Sequence, residues 1–169
     1  NYISRHYPIN AKIVKMDDDI TRITHLNEGK LTKVTNAYNL FNKTFGIMKN
    51  VGASLGGYYP TPNVMFMKGR PPITTDLRFI IGGLFCYTNR RITFDTGGKS
   101  DYAFTIENYK RDGKVVRLNH YSFSADYSAN TDVGNDTDRF MAKYGKFVSK
   151  VVTHKNGSTS FVLKKDAEK

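Results

Sequence analysis

The sequence predicts a mainly β domain, an antiparallel sandwich or jelly-roll-like fold with one or two helices. Three observations carry this. Residues 77–94 form the densest run of apolar and β-branched side chains, broken once by Gly82-Gly83. Glycine inside a strand pattern marks a bulge or a close backbone approach, so the run reads as a long, bent, central strand. Arg111-Asp-Gly-Lys114 and Lys155-Asn-Gly-Ser158 carry the Asp-Gly and Asn-Gly pairs that favour hairpin turns. A helical apolar period is present at 36–51, where Tyr38, Phe41, Phe45 and Met48 recur at helical spacing.

The other elements follow in order. Residues 1–9 read as an extended arm. Residues 12–16 and 20–24 alternate as strands, with a turn at Asn27-Glu-Gly-Lys30. Thr35 or Asn36 can cap the helix and Gly52 can end it. Glycine and proline make 52–63 a loop, with a short strand at 64–67 and a second loop at 68–72. After the long strand, 95–101 is a turn. Residues 102–108 alternate as a strand, with Tyr102, Phe104 and Ile106 on one face, and 115–124 is the next strand. Residues 125–138 are a polar loop. The apolar spacing of 140–152 suits a helix, but Asn156-Gly157 makes at least 146–153 a strand paired with 159–163. Residues 164–169 are a polar tail. With 169 residues and no internal repeat, 1–169 is one domain.

Lys and Arg number 26 against 15 Asp and Glu, a formal charge of +11. That balance favours nucleic acid, an anionic surface or an acidic protein as partner. No run of five like charges concentrates it. The single cysteine, Cys86, excludes an intrachain disulfide and cysteine-rich zinc modules. Between Phe85 and Tyr87 it reads as a small buried hydrophobe, and its reduced state points to the cytoplasm or a particle assembled there. No stretch of about 18 apolar residues is present, so no membrane span is predicted. The chain opens on Asn-Tyr-Ile without Met, which reads as a processed product or a fragment.

Few motifs suggest chemistry. Asp95-Thr-Gly has the triplet of aspartic proteases, but Gly98 and Lys99 follow where Ser or Ala is usual, and a turn accounts for all of them. Gly98-Lys-Ser100 lacks the first glycine of a phosphate-binding loop, since Thr93 stands there. Asp126, Asp132, Asn135, Asp136 and Asp138 crowd one loop without calcium-loop spacing, and local backbone hydrogen bonds explain them. Asp17-Asp-Asp19 reads the same way. His6, His25, His120 and His154 share no ligand spacing. The sequence therefore predicts no catalytic residue, no metal and no cofactor. The candidate partner-binding residues are Lys68, Arg70, Arg90 and Arg91 with Tyr58 and Tyr59, and Tyr87 beside them. Cations interleaved with aromatics suit single-stranded nucleic acid.

Leu77-Arg-Phe79, Gly82-Gly83-Leu84, Tyr87 and Ile92-Thr-Phe94 together resemble a mid-domain strand of picornavirus-like jelly-roll coat proteins. The likeness covers 77–94, with Ile81 where that family has Arg. It implies a capsid subunit that packs by broad sheet interfaces and faces viral RNA. The sequence thus points to a non-enzymatic structural or interaction protein that self-assembles or binds protein partners. A basic nucleic-acid-binding module comes second and a small hydrolase third.

Overall fold

The structure, a computed structural model, describes residues 2–93, 99–126 and 137–168. In chain order these form α1 (Tyr2–His6), β1 (Lys12–Met16), β2 (Ile20–Asn27), β3 (Lys30–Lys33), α2 (Ala37–Val51), β4 (Leu55–Tyr59), α3 (Val64–Met67) and β5 (Ile73–Thr74). There follow β6 (Leu84–Thr88), α4 (Ser100–Asp112), β7 (Val116–Ala125), α5 (Thr137–Tyr144), β8 (Val148–Thr153) and β9 (Thr159–Leu163). Seven strands make one sheet in the order β1-β6-β4-β7-β2-β3, with β5 also paired to β7. β4 and β7 run parallel and the other pairs are antiparallel. β8 and β9 form a separate two-stranded sheet.

Side-chain alternation sorts the sheet between two layers. Tyr58, Leu84, Cys86, Val116, Leu118 and Phe123 face Leu40, Phe45 and Met48 of α2. Leu55 and Tyr87 face the other way, toward Tyr102, Ile106 and Tyr109 of α4, Phe140 and Tyr144 of α5, and Phe161 and Leu163 of β9. Aromatic packing dominates this second core; Phe79 stacks on Tyr102 at 4.0 Å and Phe140 on Phe161 at 4.5 Å. The fold is β-rich as expected, but mixed α/β, with helices against both faces of the large sheet.

The α2 assignment agrees with its period. Asn36 Oδ1 accepts the Asn39 amide at 3.0 Å, and Gly52 ends the helix at a φ of 72°. β1, β2, β7 and the β8–β9 hairpin also lie where alternation and turns put them.

Among the described residues five α-helices stand where one or two were expected, and five segments differ. Residues 102–108 are not a strand but the middle of α4, because Tyr102, Ile106 and Tyr109 are spaced for one helical face. Its end explains the Asp112-Gly113 pair, since Gly113 at a φ of 74° is the left-handed residue that closes α4 rather than a hairpin turn. Residues 55–59, taken for loop, are the buried strand β4. Its glycines serve close packing; a Cβ on Gly56 would sit 2.7 Å from Met48 Sδ. Residues 64–67 are the helix α3, capped by Asn63, and the arm at 1–9 contains α1.

Among the described residues 77–93, only 84–88 is strand. Gly82-Gly83 precede it, and the expected close approach is there, with Phe123 Cε2 2.9 Å from a Cβ on Gly83. The Asp95-Thr-Gly-Gly98 turn and Asp132, Asn135 and Asp136 lie outside the described residues, as does Phe94.

Candidate functional site

β7 is split by an irregularity. Against β4, Tyr58 pairs with Leu118 but Tyr59 pairs with Ser122, so Asn119, His120 and Tyr121 have no partner on β4, while Tyr121 still pairs with His25 of β2. Leu118 also pairs with Ile73 of β5, and Ser122 with Thr24 of β2. β5 and β2 therefore share one edge of β7, one on each side of the bulge. A bulge re-aims the side chains around it.

On the β5 side lies a cleft of about 290 Å³, lined by Tyr59, Pro60, Thr61, Phe66, Arg70 and Arg117. Arg117 is only 7% exposed. Its Nε donates to Asn119 Oδ1 at 2.8 Å, and its other guanidinium nitrogens open on the cleft; among the described residues the buried side-chain polar atom left without a partner is Arg90 Nε. Asn119 is itself fixed, donating from Nδ2 to Pro71 O at 2.8 Å and to Thr74 Oγ1 at 3.3 Å. Arg117 and Arg70 lie 5.2 and 5.3 Å from the Tyr59 ring, which faces cations with its negative quadrupole.

Arg78 adds a third guanidinium nearby, but its Nε engages both oxygens of Asp76 at 2.9 Å. Burial first, then Arg78 and Arg70, pull the Arg117 pKa down to about 10, while Tyr59 and Asp76 oppose this. Arg117 thus remains a cation at neutral pH, desolvated and without a carboxylate of its own. A buried cation in that state is costly unless an anion reaches it.

On the β2 side lies a second cleft of about 300 Å³, whose lining includes His25, Lys33, Asn36, Asn39, Lys43 and Tyr121. His25 and Tyr121 stack at 4.4 Å; Lys43 Nζ is 5.1 Å from the Tyr121 ring and 3.3 Å from its hydroxyl. Burial, Lys43 and His120 lower the pKa of His25, in that order. His120 stands between the clefts, with Nε2 3.1 Å from Arg70 O.

The residues singled out in the sequence divide. Tyr59, Arg70 and Lys68 are at this end of the sheet, with Lys68 exposed and closing α3. Tyr58 is corrected to a core residue: fully buried, its hydroxyl lies 3.1 Å from Thr44 Oγ1 and 3.6 Å from Cys86 Sγ. Tyr87 is likewise core.

Arg90 and Arg91 are not brought together with Tyr59, Arg70 and Lys68. They follow β6 at the opposite end, where Thr88 N donates to Ser54 O, five residues or about 17 Å along β4 from Tyr59. Arg117, Asn119, His25 and Lys43 were missed. In sequence Arg117 is one cation in an apolar strand, and only the bulge gives it a role.

Other places offer less chemistry. A cavity of about 350 Å³ lies between α1 and α4, lined by Ile3, Phe85, Tyr87, Phe104 and Asp101 among others. Burial raises the pKa of Asp101, but its carboxylate already accepts from the backbone amides of Tyr102 and Gly82. His154 Nε2 lies 2.9 Å from Ser160 Oγ on the β8–β9 hairpin, and no carboxylate completes a relay there among the described residues. No group of three or more His, Cys, Asp or Glu able to hold a metal occurs among the described residues. No helix among them is long and apolar enough to cross a membrane. No protein-family model, curated protein or solved structure matches the chain.

Proposed function

We propose that this chain is a non-enzymatic binding protein whose Arg117–Arg70–Tyr59 cleft holds the phosphates of a nucleic acid. The observation that carries the reading is the state of Arg117: buried, charged, hydrogen-bonded through one nitrogen and lining an open cleft beside a second arginine. A guanidinium fork fits phosphate oxygens in pairs, and a charge-assisted bond in a partly dry cleft is stronger than one at the surface. The contacts are to backbone phosphate, so affinity is general across base sequences and falls with salt.

Fluorescence anisotropy with a labelled single-stranded oligonucleotide tests this. Arg70→Ala removes an exposed side chain and reduces the slope of log K against log salt by about 0.7. Arg117→Lys keeps the charge and loses the fork, and weakens binding about tenfold. Wild-type protein that shows no salt-dependent binding, or variants that bind as it does, would refute the reading.

Self-assembly is the second reading, favoured by an apolar run near the N-terminus. Tyr2, Ile3, Tyr7 and Ile9 are all exposed, and Asn89 Nδ2 holds the segment by donating to the carbonyls of Ser4, Tyr7 and Pro8 at 2.9–3.0 Å. A fixed apolar strip suits contact with another copy of the chain, and a viral coat or accessory subunit is the most concrete version. Light scattering decides it: a monomer at high concentration that stays monomeric with nucleic acid present removes this reading.

A further inference from the structure

We propose that the β7 bulge joins the two clefts into one track for an extended, single-stranded nucleic acid. The inference rests on the phosphate-binding reading of the Arg117 cleft and extends it to a second, separate cluster. The three residues that β4 leaves unpaired serve both sides. Asn119 fixes Arg117, His120 meets the Arg70 carbonyl, and Tyr121 stacks on His25 and meets Lys43. Arg117 and Tyr121 are four residues apart, at most about 13 Å of strand. No carboxylate is among the residues lining either cleft.

The character of the track follows from its parts. Arg117 is a floor residue, so a phosphate must enter the cleft to reach it. A flexible single strand can turn a phosphate inward, whereas a duplex presents its phosphates along a stiff convex rod. Past His120 the strand meets Lys43 and Lys33 for its phosphates. Of the His25–Tyr121 stack, whose tyrosine ring already lies under Lys43, the half-buried His25 ring is the one offered to a base, a sequence-tolerant contact.

The test compares labelled thymidine monophosphate with a labelled oligothymidylate of twelve nucleotides at one fixed salt concentration. The wild-type chain and the double variant His25→Gln, Lys43→Gln are measured side by side. Lys43 is exposed and His25 half-buried, and matching circular dichroism confirms that the variant is folded. The mononucleotide carries one phosphate and is too short to span from the Arg117 cleft to Lys43, so both proteins bind it equally. The dodecanucleotide reaches both clefts, so the wild type binds it more tightly and the variant loses about tenfold. Equal loss for both lengths, or no loss for either, overturns the single track while the Arg117 reading stands. Failure of the wild type to bind either probe overturns both.

Discussion

Arg117 shows how one residue acquires a role from its neighbours. Its charge is ordinary; its burial, its single partner Asn119 and its place over Tyr59 are not. Gly57, two residues before Tyr59, sets the strand that carries the ring. A Cβ there would run into Ile80 Cγ2, a side chain able to shift only by repacking the core. Gly57→Ala should cost about 1–3 kcal/mol in urea unfolding, and a midpoint equal to wild type would show that Ile80 yields freely. Cys86 is fully buried, and burial pushes its thiol pKa up to about 11. The thiolate is the reactive form, so a thiol reagent should label Cys86 only in denaturant. Fast labelling of the native protein would contradict that. This placement was legible in sequence from the flanking Phe85 and Tyr87; the burial of Tyr58 was not, because glycine-rich 52–63 has the composition of a loop.

The elements were legible where period and length agree. α2 and the β8–β9 hairpin each have a repeating pattern, a cap or a turn residue that says the same thing. α4 was misread because Tyr102, Phe104 and Ile106 alternate over seven residues, too few to separate a period of 2 from 3.6. Its end contains a further determinant. Asp112 Oδ2 accepts the amide of Ser54 at 2.6 Å, tying the end of α4 to the start of β4. Ser54 is buried, so Asp112→Ala leaves a donor without a partner and should cost about 1–3 kcal/mol. Thermal unfolding of the variant measures it, and an unchanged midpoint would mean water replaces the carboxylate. The β7 bulge had no sequence signal, since Asn119, His120 and Tyr121 continue an unbroken strand-like run.

At the scale of the whole molecule, His25 makes one contribution to how stability depends on pH. Burial, Lys43 and His120 disfavour its cation in the folded chain, so the unfolded chain binds protons more readily as pH falls below about 6.5. The stability this preserves is complete above that pH and declines as pH drops through it. Melting points from pH 7 to pH 5 should fall, and His25→Gln should flatten the decline; identical profiles would assign it elsewhere. Net charge is the other global property. If +11 alone attracts nucleic acid, Arg91→Ala weakens binding as much as Arg70→Ala. The cleft predicts that Arg91→Ala binds within about twofold of wild type, since Arg91 lies at the other end of the sheet and a distant exposed charge is screened.

β7 enters the middle of the sheet late. Its partners are Gly56 to Tyr59 on one side and Ile20 to His25 on the other, roughly 60 and 100 residues earlier in the chain. Pairings this distant in sequence close slowly, since a long loop must be ordered before they form. During synthesis the edges of β4 and β2 wait unpaired until residue 116 emerges. The cleft around Arg117 is therefore a late product of folding, and its appearance in a refolding experiment should coincide with completion of the sheet.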